Sequence, residues 1–176
     1  MTHVSYNTGQ VEWYTPGDII ETARGIMGGI DCDPASSDAA NKVVKATQYW
    51  TAENDGLWPG NKWGERVWLN PPYSNRLISQ FADRLMHEFW LGTVEKAIWL
   101  SNNATETAWG QLILRNAECV CFPTHRIRFL NEDLCPVGAP LQGQMIVGLG
   151  SIDSNAWRAG FGDLGVVFVR DGRENE

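Results

Sequence analysis

Asn70-Pro71-Pro72-Tyr73 is the stretch whose residue types and spacing could do chemistry. The side-chain oxygen of Asn70 and the backbone carbonyl of Pro71 are consecutive hydrogen-bond acceptors, able to hold the hydrogens of one amino group. A strand end would fix the first and proline rigidity the second. Tyr73 adds a ring on which a flat heterocycle could stack. The flanking elements can position them. Val67-Trp68-Leu69 favours a strand, and the prolines stop it. Ser74 or Asn75 can then cap a helix with an inner face of Leu77, Ile78, Phe81, Leu85 and Phe89. In an α/β fold such a turn lies at the carboxyl ends of the strands, where ligands bind.

Two earlier segments have the same strand-and-helix grammar. Thr15-Pro16-Gly17-Asp18 reads as a helix start, with Thr15 as N-cap, Pro16 as first residue and Asp18 closing a capping box. The helix would run to about Met27 and end at Gly28-Gly29. Residues 29–33 read as a short parallel strand ended by Pro34, after which Ser37 caps a helix to about Ala46. Asp33 at that strand end could serve as an Asx cap or accept from a ligand. Residues 47–66 form a long loop with one short strand. Its three tryptophans and one tyrosine either pack the loop down or offer a stacking surface.

Beyond the motif, Glu95 to Leu100 reads as a buried parallel strand, and a helix from Thr105 or Thr107 to Arg115 buries Trp109, Leu112 and Ile113. Ala117 to Phe122 is the next strand. Alternation in Arg126-Ile127-Arg128-Phe129 puts both arginines on one strand face, suited either to a phosphate contact or to a solvated edge. Residues 131–143 form a loop. Two late strands, Gln144 to Gly150 and Leu164 to Val169, lie too close for a long helix between them and suggest an antiparallel edge.

Asn70-Pro71-Pro72-Tyr73 resembles the catalytic motif of the amino-methyltransferases. With Thr15-Pro16, Asp33-Pro34-Ala35, Asp55-Gly56-Leu57 and Arg126 to Phe129 in that order, the chain resembles the small phage DNA N6-adenine methyltransferase (Dam-like) family over about residues 12–170. The resemblance implies an α/β, Rossmann-like S-adenosylmethionine-dependent methyltransferase sandwich. It would be abbreviated and mostly parallel, with antiparallel edge strands near the C-terminus. Asn70, Pro71, Pro72 and Tyr73 would be catalytic; Thr15, Pro16, Asp33, Pro34, Ala35 and Asp55 would bind S-adenosyl-L-methionine. Double-stranded DNA would be the partner, met by Arg76, Arg126 and Arg128, and the target adenine would leave the helix to be reached. Relatives more often carry proline after the fourth strand, where this chain has Ser101-Asn102-Asn103, and His125 stands in place of a glycine. The motif alone does not select the nitrogen. Cytosine N4, RNA guanine N2 and protein glutamine methyltransferases share it or a close variant, and a non-catalytic nucleic-acid-binding relative is a further alternative.

Composition narrows the classes. The 176 residues suit one domain, with a frayed tail over 171–176, and a 43% hydrophobic fraction with nine tryptophans opposes disorder. No apolar run is long enough for a membrane span, and no signal peptide is evident, so a cytoplasmic protein of a bacterial or phage-infected cell is expected. Four cysteines without a Cys-x-x-Cys pair look like buried small hydrophobes, and no structural zinc is expected. Asp31, Asp33 and Asp55 could ligate a metal in a nuclease, but that leaves the Asn-Pro-Pro-Tyr unexplained; no metal is expected. Cysteine-based C5 methylation lacks its Pro-Cys, the only near match being the reversed Cys135-Pro136. The net charge of −7 counts against a general nucleic-acid binder, leaving a local basic rim drawn from Lys62, Arg66, Arg76, Arg84, Arg126 and Arg128. A monomer or weak dimer is expected.

Overall fold

Alternation along the central strands decides the architecture. Val67 and Leu69 point to one side of a sheet and Trp68 to the other, and Ala97 and Trp99 oppose Ile98 and Leu100 in the same way. Both faces are therefore apolar, and each is covered by helices. The computed structural model describes residues 13–131, 133–137 and 140–170. Along these run α1 (Gly17–Met27), β1 (Cys32–Asp33), α2 (Asp38–Val44), β2 (Gln48–Tyr49), β3 (Arg66–Leu69) and α3 (Asn75–Trp90). They are followed by β4 (Lys96–Asn102), α4 (Ala108–Arg115), β5 (Ala117–Pro123), β6 (Gln144–Gly150), α5 (Ser154–Phe161) and β7 (Gly165–Val169). Ile20 and Met27 of α1 with Trp157 and Phe161 of α5 pack on Trp68, Ile98 and Ile146. On the opposite face Ile78, Phe81 and Leu85 of α3 and Ile113 of α4 pack on Leu69, Trp99 and Val147.

The sheet order is β2-β1-β3-β4-β6-β5-β7. The first four strands are parallel, and every pairing beyond β4 is antiparallel. A mixed α/β sheet with a parallel core and an antiparallel C-terminal edge at β7 is as expected. The parallel part is only half of the pairings, however, where a mostly parallel sheet was expected. The placing of β6 corrects the sequence reading, which put both late strands together at an edge. β6 lies inside the sheet between β4 and β5. Gln144 to Leu149 are all buried, as a strand covered on both faces requires. The short connection to β7 also holds an unforeseen helix, α5, capped by Asp153, whose carboxylate accepts from the Ala156 amide at 2.7 Å.

Smaller corrections follow the same logic. Residues 126–129 are extended and alternate as expected, Arg126 and Arg128 outward and Ile127 and Phe129 buried. They join no ladder, however; the Ile127 amide is instead satisfied by the Gln144 side chain at 3.0 Å. β1 is shorter than expected, Cys32–Asp33 only, and Asp31 just before it is paired with Arg66. Cys32, Cys119 and Cys121 are buried, whereas Cys135 is exposed. The tail over 171–176 lies outside the described residues. Among those residues no helix is long and apolar enough to cross a membrane.

Candidate active site

β1 has β2 on one side and β3 on the other, so the chain reverses its winding direction between β1 and β3. At such a switch point the loops leaving the carboxyl ends of the strands part and open a crevice. Asp33 ends β1 and Asn70 follows β3. Both line a cavity of about 460 Å³, with Tyr14, Thr15, Pro34, Ala35, Trp50, Asp55, Pro71, Pro72, Tyr73 and Leu77 among the other wall residues. That volume falls within the range of small-molecule sites, about 300–1,000 Å³.

The motif turn has definite internal geometry. Asn70 Nδ2 donates to the Trp13 carbonyl at 3.0 Å and to Thr15 Oγ1 at 3.3 Å. On the other side of the amide, the Tyr73 hydroxyl donates to Asn70 Oδ1 at 3.0 Å. Burial pushes the Tyr73 phenol above its ordinary range, which keeps it a neutral donor. Its ring meets Phe129 edge-on at 6.5 Å, and Phe129 meets Trp13 edge-on at 5.9 Å. Ser74 caps α3, accepting from the Leu77 amide at 3.4 Å.

Thr15 does not cap α1. Pro16 occupies the cap position with no side-chain bond, and Gly17 is the first helical residue. The expected capping box is absent because Asp18 turns to the Ile19 amide and the Thr15 hydroxyl is committed to Asn70. Pro16 is not among the wall residues.

Asp33 is 3% exposed, and desolvation raises its carboxyl to about 7 although the Ser36 hydroxyl and Ala35 amide oppose the shift. The amide contact is an Asx-type bond of 3.2 Å. Both sequence readings of Asp33, turn-former and ligand-facing acceptor, are therefore compatible with its place. A buried carboxylate on a cavity wall without a cation is costly, and a bound ammonium would relieve it.

The Asp55 loop is held by Asn61 and Trp63, which sequence reasoning did not select, and by Arg84, which it placed in the basic rim instead. Asn61 Nδ2 donates to the Asn54 and Asp55 carbonyls at 2.7 and 2.8 Å, and Trp63 Nε1 to the Gly56 carbonyl at 2.9 Å. Arg84 of α3 donates to the Asn61 carbonyl at 3.2 Å, pairs with Glu88 at 2.6 Å and lies 5.7 Å from the Trp63 ring centre. The i,i+4 spacing of Arg84 and Glu88 was the available signal. Asp55 itself, exposed at φ 48°, accepts from the Leu57 amide at 3.0 Å. Gly56 lets this loop touch the first one: a Cβ there would stand 1.8 Å from the Pro34 carbonyl oxygen.

Arg76, Arg126 and Arg128 are exposed and form no ion pair among the described residues. Arg76 lies three residues past Tyr73, and Arg128 precedes Phe129. Two other arginines of the expected basic rim are elsewhere occupied: Arg66 is bonded to Asp31 and the Gly28 carbonyl, and Arg84 to Glu88. Asp31, Asp33 and Asp55 do not converge, and no group of three or more metal-ligating side chains gathers among the described residues. Burial raises the Cys32 thiol to about 12 and those of Cys119 and Cys121 to about 11, which makes them poor nucleophiles.

Fold and cavity together define an α/β protein with an open crevice at its switch point, walled by the Asn70 amide and a buried carboxylate. A family model described as DNA N-6-adenine-methyltransferase (Dam) matches residues 4–154, and the chain belongs to that family. It is also similar to a DNA N-6-adenine-methyltransferase of Escherichia phage T1, 31% identical over 109 residues. The match covers 55% of this chain and 43% of that relative, so less than half of the relative's length is represented. No solved structure matches the chain.

Proposed function

We propose that the chain transfers a methyl group from S-adenosyl-L-methionine to N6 of adenine in double-stranded DNA. The observation that carries this reading is the fixed amide of Asn70, its oxygen turned toward Tyr73 in the wall of a cavity that also holds Asp33. S-adenosyl-L-methionine, when bound, supplies an electrophilic methyl group on a sulfonium, whose departure as a neutral thioether needs no metal.

The residues present suit that cofactor. Asp33 would accept from the ammonium of its methionine end, and small Ala35 and Ser36 leave room for close approach to the backbone. Asp55 would meet its hydroxyl or amino groups. The chain's own contribution to the reaction is orientation and hydrogen bonding. An adenine amine is a poor nucleophile because its lone pair is delocalised into the ring. Asn70 Oδ1 and the Pro71 carbonyl would accept its two hydrogens and draw the nitrogen toward a tetrahedral geometry. Tyr73, leaving its bond to Asn70, would stack on the extruded base. Arg76, Arg126 and Arg128 would meet backbone phosphates around the opening.

Calorimetry with S-adenosyl-L-methionine, followed by label transfer from the methyl-labelled cofactor, tests the reading. Cofactor binding and label in double-stranded DNA are the expected results. Label in RNA or in a protein substrate, with none in DNA, contradicts it.

A further inference from the structure

Thr15 reads in the sequence as a helix cap, yet its hydroxyl oxygen accepts from a side chain 55 residues away. It is 5% exposed and bonded to the residue that the proposed reaction needs most. We infer that Thr15, with the Trp13 carbonyl, is a positioning element that fixes the rotation of the Asn70 amide. This rests on the reading of Asn70 as the acceptor of the substrate amine.

The need for such an element follows from the chemistry of an amide. Its oxygen and nitrogen are nearly the same size, and a half-turn about the last side-chain bond exchanges them at little steric cost. One orientation offers an acceptor to an amino group. The other offers two N–H donors and repels it. The Trp13 carbonyl can only accept, so the atom 3.0 Å from it must be Nδ2. Thr15 Oγ1 at 3.3 Å takes a second bond from the same nitrogen, so Asn70 reaches both partners only in this orientation. On the opposite side the Tyr73 hydroxyl donates to Oδ1 and so fits the state that the Trp13 carbonyl selects. A flipped amide would set its oxygen against the Trp13 carbonyl, which has no hydrogen to offer.

The segment that does the fixing is itself held. Tyr14 exchanges backbone bonds with Leu130, 3.1 Å in one direction and 2.8 Å in the other. The ring of Trp13 lies against buried Phe129. Residues 13–15 therefore cannot drift away from Asn70 without breaking a bridge to the arginine-bearing segment. Thr15 acts through Asn70, and this role differs from a direct contact with the cofactor.

The test compares Thr15→Val, which keeps shape and removes the hydroxyl, with Thr15→Ser, which restores it; Thr15→Ala replaces the valine variant if that does not fold. In the free protein, exchange of the Asn70 side-chain amide protons is followed by NMR, with Asn70→Ala identifying the signals. Slow exchange in the natural protein, faster exchange in Thr15→Val and recovery in Thr15→Ser are expected. Single-turnover methyl transfer at saturating cofactor should fall roughly fivefold to tenfold in Thr15→Val, the loss of one hydrogen bond. Its cofactor dissociation constant should stay within about twofold, and Thr15→Ser should recover the rate. Unchanged amide exchange in Thr15→Val, or weakened cofactor binding with the saturated rate intact, overturns the inference. A natural protein that binds cofactor but methylates nothing defeats the proposed function instead, and the amide exchange remains readable.

Discussion

At Asp33 the proposed cofactor site would tie stability to binding. Burial holds its carboxyl at about 7, against 3.8 for the free group. Between those values the folded chain keeps a proton that the unfolded chain has lost, so stability falls as pH rises through this window. Above it the buried charge persists uncompensated at a cost of a few kcal/mol. Asp33→Asn should therefore raise the melting temperature at pH 8 and leave it nearly unchanged at pH 4. Equal shifts at both pH values would contradict this origin. A bound ammonium needs the charged form, so cofactor affinity in the natural protein should decline as pH falls below about 7, and Asp33→Asn should bind weakly throughout. Titration calorimetry across pH checks both. At this scale the sequence was most legible where chemistry is local: Asn70 and Tyr73 sit in one rigid tetrapeptide. Thr15 was misread as a cap because its partner is distant in sequence and no local pattern announces it.

Elements are where the cavity gets its shape, and the loop between β2 and β3 is the least regular of them. It is pinned from α3 through Arg84 and Asn61 and pressed onto the β1 turn at Gly56. Asn61 is 8% exposed and its amide nitrogen serves two carbonyls, so Asn61→Ala should cost about 1–3 kcal/mol of stability by denaturant unfolding. Amide exchange in residues 54–57 should accelerate in the same variant. Gly56→Ala has no room for its methyl group beside Pro34 and should separate the two loops, with cofactor binding lost before the fold is. A variant that binds cofactor like the natural protein would contradict this packing. Elements with a clean period were legible: α1, α3, α4 and β3 to β5 lie close to where apolar spacing puts them. The position of β6 was not, because sequence spacing shows that two strands are near in the chain but not that a third lies between them. The loop-holding bonds were equally invisible: Arg84 reaches in from α3, and the Asn61 amide meets backbone carbonyls six and seven residues away that no local pattern announces.

For the whole molecule, a net charge of −7 means that the proposed DNA substrate would have to be met by a local patch. Arg66 and Arg84 are withdrawn from it by their ion pairs, which leaves Lys62, Arg76, Arg126 and Arg128 as the exposed cations of the expected rim. Replacing Arg126 and Arg128 together by alanine should weaken DNA binding for all sequences alike. The slope of log affinity against log salt should decrease by roughly 0.9 for each phosphate that is no longer neutralised. Fluorescence anisotropy over a salt series measures this, and an unchanged slope would remove these residues from the interface. The fold as a whole brings residues 13–15, 33–37, 55–57 and 70–73 around one cavity from four separate stretches of chain. The central claim is that this cavity methylates adenine N6 through the Asn70 acceptor. It is tested most directly by nucleoside mass spectrometry of unmethylated double-stranded DNA incubated with S-adenosyl-L-methionine and either the natural protein or Asn70→Ala. N6-methyladenine from the natural protein, and at least a hundredfold less from the variant (about 2.7 kcal/mol or more of lost transition-state stabilisation), is the expected result. Methylation of another base, or an Asn70→Ala variant as active as the natural protein, would contradict it.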